Sequence, residues 1–269
     1  MDTIEHLEKF GYAIENNIIS NEECEQIASI LDKMENEQKQ QGVLSSTESQ
    51  TVLFNVHLDK PEIFLDKINI KKIMDILTKI FNDKFILSNF NASKSGSKGG
   101  NRIHIDSRIP ITNFQNTFQV AVLLCIDDFT EKNGGTIVWP FSHKTDSDPR
   151  NIRDNVNVEG GITATAPKGS VIYTLGQTWH DVGPNLENSR RWGIIAYYAR
   201  WWVKPTFDFT QCGEKIFSML NNQQKELLGF TTKPPKDAKI RQKTVIPVED
   251  LPDEYEKNAK HFLINNKFP

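Results

Sequence analysis

Past Asn82 the chain changes from helical spacing to short β-rich runs broken by Gly, Asn and Pro, and this change restricts the fold more than any other feature. Phe85 to Asn91, Phe118 to Ile126, Gly135 to Trp139, Ser170 to Leu175 and Trp192 to Trp202 read as strands. The breaks between them include Gly96 to Asn101, Lys132-Asn133-Gly134-Gly135 and Gly183-Pro184-Asn185. Helical patterns come first and many short strands follow. That order predicts a mainly β fold with flanking helices, a double-sheet core for which a jelly roll is the leading option.

The helical patterns are explicit. Ser20-Asn21-Glu22-Glu23 has the form of a capping box, and Ile27, Ile30, Leu31 and Met34 then recur at helical spacing. A helix is expected from about Asn21 to Gln38, followed by a polar loop from Gln38 to Gln50. A second helix is expected over Ile70 to Phe81, with Ile73, Ile76, Leu77 and Ile80 as its buried stripe. The 269 residues read as one domain: N-terminal helices over about 1–82, a β core over about 83–204, and a helical or irregular extension over about 205–269. Within that extension, Lys233-Pro234-Pro235-Lys236 has the composition of an exposed connector.

Bulk chemistry narrows the function classes. A net charge of -3 and a pI near 6.1 give no electrostatic basis for binding nucleic acid or an anionic membrane. No apolar run approaches the roughly 20 residues that span a bilayer. The first residues, Met1-Asp2-Thr3-Ile4-Glu5, lack the basic and apolar regions of a signal peptide. Cys24, Cys125 and Cys212 are odd in number and scattered, which fits a reducing compartment. A cytoplasmic protein acting on a small molecule is the expectation.

His104-Ile105-Asp106, answered downstream by His180 and then Arg191, carries the chemistry. Residues i and i+2 of a strand share a face, so His104 and Asp106 can present a nitrogen and an oxygen to one ion. His180 follows the Ser170 to Leu175 strand and supplies a third donor from another direction. Two imidazoles and a carboxylate are the facial triad of non-haem Fe(II), which leaves coordination positions open. The same set also suits Zn(II) or Mn(II). Arg191 distinguishes the two cases, because a 2-oxoglutarate co-substrate has a distal carboxylate that an arginine matches bidentately. Its neighbour Arg190 should face the other way.

These residues lie in segments that resemble the phytanoyl-CoA dioxygenase family of Fe(II)/2-oxoglutarate-dependent oxygenases. His104-Ile105-Asp106 is similar to that family's His-x-Asp; Asn133-Gly134-Gly135-Thr136 with Trp139 to Lys144 is similar to its "NGxT…PGSHK" stretch. Pro167-Lys168-Gly169-Ser170 resembles its turn before the last metal-bearing strand, and Trp179-His180, Gly183-Pro184-Asn185 and Arg190-Arg191 resemble "WHxxGxN…R". Phe10-Gly11-Tyr12 with Glu22-Glu23-Cys24, and Gln224 to Phe230, extend the likeness over about residues 8–230. Phe141 departs from the usual Gly, and Asn101 stands where some members carry Gln.

The resemblance implies a double-stranded β-helix core with Fe(II) on His104, Asp106 and His180. It implies 2-oxoglutarate anchored by Arg191 with contacts from Thr136 and Asn101, O2 as the second co-substrate, and His143 in a structural role. The implied reaction is hydroxylation of a small organic metabolite with release of succinate and CO2. Related halogenases carry a small residue at the position of Asp106, so the carboxylate argues for oxygenation. Two alternatives stay open: a cupin-like isomerase or hydrolase that has no use for Arg191, and a catalytically silent binding module. Substrate contacts are expected from loops Ser93 to Asn101, Ser107 to Asn116 and Thr145 to Val158, with Lys94, Lys98, Arg102 and Arg108 as cations for an anion and Tyr197-Tyr198 and Trp201-Trp202 as a wall.

Overall fold

The computed structural model describes residues 1–100, 102–152, 158–234 and 245–251. Helices α1 (Thr3–Phe10), α2 (Asn21–Gln41), α3 (Val56–Asp59), α4 (Pro61–Phe64) and α5 (Lys71–Phe81) occupy the N-terminal third, interleaved with strands β1 (Tyr12–Glu15), β2 (Ser45–Ser46) and β3 (Gln50–Leu53). Then come β4 (Phe85–Ser95), β5 (Gln119–Cys125), β6 (Thr136–Val138), β7 (Ile162–Thr163), β8 (Val171–Leu175), β9 (His180–Val182) and β10 (Trp192–Arg200). Helices α6 (Glu214–Met219) and α7 (Asn222–Leu227) follow. Among the described residues no helix is long and apolar enough to cross a membrane.

Local chemistry sets the helix ends. Ser20 caps α2 by accepting from the Glu23 amide at 3.1 Å, and Gly42 ends it in the left-handed region. Only half of the expected capping box forms, because the Glu23 carboxylate pairs with Lys67 instead. Helix α5 buries Ile73, Leu77 and Ile80 as expected, with Met74 and Phe81 beside them, and stops at Asn82 in the left-handed region. The stretch expected to be a loop, Gln38 to Gln50, is in part β2 and the first residue of β3. Two-residue strands have too short a period to be visible in sequence.

The strands form two antiparallel sheets, one of seven strands in the order β1-β8-β5-β10-β4-β3-β2 and one of three in the order β7-β6-β9. This is the double-stranded β-helix, or jelly roll, with helices on one side. Alternation gives the large sheet two distinct faces. Phe90 and Ala92 of β4, Val120, Val122 and Leu124 of β5, Tyr173 of β8 and Ile194 and Ala196 of β10 join the helices in the main core. The residues between them, including Asn89, Asn91, Ala121, Leu123, Thr174, Ile195 and Tyr197, line a cavity of about 660 Å³. A bulge between Tyr197 and Tyr198 resets β10 against β4, so that Leu87 joins Tyr198 in the core while Asn89 pairs with Tyr197 on the cavity side. The strand expected to reach Trp202 ends at Arg200; Trp201 and Trp202 line a separate cavity of about 670 Å³.

Candidate active site

The cavity mouth is built by the small sheet. His104 lies outside the named strands but forms an isolated antiparallel bridge with His180, each backbone amide donating to the other's carbonyl at 3.1 Å. The pairing sets the two imidazoles side by side, with ring centroids 4.2 Å apart. Asp106 sits in the turn that follows, not on a strand as alternation alone predicts. Its carboxylate reaches between the rings, Oδ1 at 3.9 Å from His104 Nε2 and Oδ2 at 3.6 Å from His180 Nε2.

Three features fit this cluster to a metal ion. First, His104 Nδ1 lies 2.9 Å from the Arg102 carbonyl and His180 Nδ1 lies 3.0 Å from that of Thr178. A carbonyl only accepts, so each Nδ1 carries the proton and each Nε2 lone pair faces Asp106. Second, Asp106 Oδ2 is buried without a hydrogen-bond partner, a costly arrangement that a cation would relieve. Third, burial pushes both imidazoles below their ordinary range and raises Asp106 to about 6, so the cluster has nitrogens held neutral and a carboxylate short of compensating charge. Among the described residues this is the only His/Cys/Asp/Glu group with metal-ligand geometry, its donor atoms all within 4.8 Å of one another.

Arg191 lies deeper on the cavity wall. It is 3% exposed; its Nη2 donates to the Gly134 carbonyl and its guanidinium lies 4.0 Å from the Phe129 ring centroid. Its Nε has no partner, and among the described residues no carboxylate pairs with it. Burial pushes it down to about 10. A buried cation without a counterion is a site for an anion to fill. Its neighbour Arg190 faces outward to Asp127, Glu25 and Asp32. Asp127, which the sequence reading overlooked, accepts from Arg190 on one side and from the Trp192 amide at 2.8 Å on the other. It thereby fixes the start of β10 with Arg191 turned inward.

Thr136 opens β6 opposite Val182 and lines the same cavity. Asn101 lies outside the described residues. His143 is buried away from the triad, its Nε2 3.0 Å from the Glu8 carbonyl, and so ties the loop after β6 to α1. Of the four cations expected around the substrate, only Arg102 lines the cavity. Lys94 lies within β4 and pairs with Glu35 at 2.6 Å, Lys98 pairs with Glu48 at 2.6 Å, and Arg108 offers its carbonyl to Arg150. Of the expected aromatic wall only Tyr197 faces inward; Tyr198 is buried in the core with its hydroxyl on the Ile68 carbonyl at 2.8 Å. The sequence reading also missed Asn89 and Asn91, polar residues of β4 that face the cavity; Ser93, the first residue of an expected substrate loop, lines it with them.

Sheets and donor set together define a double-stranded β-helix protein with a two-histidine, one-carboxylate group that could hold a metal ion. The chain belongs to the phytanoyl-CoA dioxygenase (PhyH) family, whose model matches residues 7–193. It is 25% identical over 166 residues to the dioxygenase af480 of Aspergillus fumigatus, a match covering 59% of this chain and 52% of that protein. The chain thus spans about half the length of this curated relative. Its fold is similar to that of HygX from Streptomyces hygroscopicus, crystallised with nickel and 2-oxoglutarate, at a TM-score of 0.63 and 12% identity, covering 76% of this chain and 88% of that one. It is also similar to SnoN, a non-haem α-ketoglutarate-dependent epimerase from nogalamycin biosynthesis, at a TM-score of 0.59 and 11% identity, covering 74% and 79%.

Proposed function

We propose that this protein is an Fe(II)- and 2-oxoglutarate-dependent dioxygenase that hydroxylates a small organic molecule, with release of succinate and CO2. The observation that carries the reading is a pair of buried charges at one cavity: the Asp106 oxygen between the imidazoles of His104 and His180, which line it, and Arg191, which lines it without a carboxylate partner. A divalent cation answers the first and the distal carboxylate of 2-oxoglutarate the second. A cupin-like isomerase or hydrolase needs only the first, and a silent module needs neither.

In this reading His104, Asp106 and His180 hold the metal. Iron there supplies O2 activation coupled to the oxidative decarboxylation of 2-oxoglutarate. The carbonyls of Arg102 and Thr178 hold the imidazoles in the ligating tautomer. Arg191, fixed by Gly134 and Phe129, orients the co-substrate, and Thr136 and Asn101 add polar contacts. Asp106 fills the position that a halogenase leaves open, which favours oxygenation.

The test is succinate formation from 2-oxoglutarate on Fe(II) addition, alone and against a metabolite library. It should stop on chelation. His104→Ala and Asp106→Ala should each lower it by more than the ~10–100-fold typical of losing an outer partner of a metal ligand. Succinate release that survives both substitutions sinks the reading.

A further inference from the structure

Part of the cavity wall lies outside the residues assigned above to metal and co-substrate. It is built by β4, where Asn89, Asn91 and Ser93 face inward at i, i+2 and i+4, a stripe of about 14 Å at ~3.4 Å per residue. Tyr197 stands beside Asn89 in the register of β10 on β4, and its ring also lines the cavity. Phe54, just past the end of β3, forms the lip and is 55% exposed.

The hydrogen-bonding state of this stripe is specific. Asn91 Oδ1 accepts from the Asn55 amide at 3.0 Å, which fixes the amide's orientation and turns its NH2 group, a pure donor, toward the cavity. Among the described residues, the side chains of Asn89, Ser93 and Tyr197 have no hydrogen-bond partner. Asn89, Ser93 and Tyr197 are half-buried, so their polar atoms are open to a partner in the cavity. Every one of these groups is uncharged, and together they offer both donors and acceptors.

The charge balance agrees. Asp106 and Arg191 carry opposite charges, a divalent metal is neutralised by the dianionic co-substrate, and Asp181 on the cavity lining adds a negative charge, so the loaded inner site has no net positive charge to attract another anion. Of the remaining cations, Arg150 is held by Asp148 and the Arg108 carbonyl. Arg102 is exposed on the rim.

We propose that the Asn89–Asn91–Ser93 stripe, with Tyr197 and the Phe54 lip, is the substrate subsite, and that it takes a neutral polyhydroxylated ring of the sugar or cyclitol type. Amide and hydroxyl groups match ring hydroxyls that both donate and accept. Phe54 offers an aromatic face to the ring's apolar side. This inference rests on the oxygenase reading for its charge balance.

The test uses the full chain with Mn(II) in place of iron and saturating 2-oxoglutarate, so that binding is read by calorimetry and ligand-observed NMR independently of turnover. Myo-inositol and methyl glucoside are the neutral probes; inositol phosphate and cyclohexanecarboxylate are the anionic ones. The neutral probes should bind more tightly than the anions. Asn89→Leu and Ser93→Val, both checked for an intact thermal transition, should each weaken neutral binding about fivefold, as expected for a lost neutral hydrogen bond. The affinity for 2-oxoglutarate should stay within about twofold, since charge-assisted contacts to Arg191 dominate it. The inference is overturned if only the anions bind, if no neutral probe binds, or if both variants bind polyols unchanged. It is also overturned if 2-oxoglutarate weakens as much as the polyol, because the stripe then belongs to the co-substrate. Succinate release by the Fe(II) enzyme without substrate separates the two readings. Its absence both alone and across the metabolite library counts against the oxygenase while polyol binding can stand; its presence without polyol binding counts against the subsite alone.

Discussion

The large sheet has two faces made from the same strands on opposite terms. Phe90 on β4 is 1% exposed and packs among the helices, whereas Asn89 and Asn91 on either side of it face the cavity. Ile194 and Ala196 on β10 alternate in the same way with Ile195 and Tyr197. The helix face is close-packed and apolar. The cavity face carries polar groups without partners, a buried arginine without a counterion and open volume. One face holds the fold together; the other spends part of that stability on a site that only ligands complete.

The largest test of that contrast compares Phe90→Ala with Ile195→Ala. Phe90 is enclosed, so its loss should cost ~3–5 kcal/mol. Ile195 is half-buried beside a cavity that already admits water, and the same truncation should cost about 1–2 kcal/mol, since only part of its apolar surface is withdrawn from solvent. Denaturant titration of the two variants decides the matter. Equal losses would mean that the cavity face is as structural as the helix face.

A second test exploits an unpartnered polar group buried on the helix side. His57 in α3 is fully buried between Phe90 and Phe209, with ring centroids 4.9 and 4.8 Å away, and neither ring nitrogen has a partner. Burial lowers it from 6.5 to about 3. The folded state therefore keeps the ring neutral, while the unfolded chain takes up a proton below pH 6.5. Stability from this group is fully present above pH 6.5 and is lost as the pH falls toward about 3. By about pH 4 the loss is on the order of 3 kcal/mol. His57→Leu should flatten that acid limb, as read from unfolding free energies across the range. An unchanged limb would place the acid sensitivity elsewhere.

What the sequence displayed follows the same division. Helices α2 and α5 and strands β4, β5, β8 and β10 were legible because each is long enough to repeat its apolar pattern or, for α2, to show its cap, and the three-residue β6 was legible within the Gly135 to Trp139 run that follows an Asn-Gly-Gly break. Strands β1, β2, β3, β7 and β9 were not, because they have two to four residues, too few to repeat an alternation. His104, Asp106, His180 and Arg191 stood out by chemical type. Asp127 did not, because an aspartate after a strand usually signals only a turn, and its hold on both sides of Arg191 exists only once β5 and β10 are paired. Asn89, Asn91 and Ser93 were visible as a polar alternation, but the alternation could not say whether that face met solvent or a cavity.

On the cavity side, Arg191→Met should separate stability from function. Removing the guanidinium should weaken 2-oxoglutarate ~10–100-fold, the scale of a lost charge-assisted hydrogen bond. Yet it also removes a buried, uncompensated cation, so the ligand-free protein should unfold at the same or higher denaturant concentration. Binding calorimetry and an unfolding curve on one variant give the two signs. A variant that binds 2-oxoglutarate normally would remove the functional meaning of the buried charge.

The smallest effect is expected at Phe141, where the family's usual residue is Gly. The position has φ 68°, the left-handed region, and its ring lies 5.1 Å from that of Phe10. Left-handed geometry costs a side chain roughly 1–2 kcal/mol, and an aromatic pair returns about 0.5–1.5 kcal/mol. Phe141→Gly removes both, and should leave stability within about 0.5 kcal/mol of the parent. Phe141→Ala keeps the strain and loses the ring, so it should cost about 1 kcal/mol. If the Ala variant matches the Gly variant, the Phe10 contact contributes nothing and the strain at this turn is borne by the packing around His143. Because the ring is half exposed and reaches α1 and not the triad, neither variant should alter 2-oxoglutarate binding.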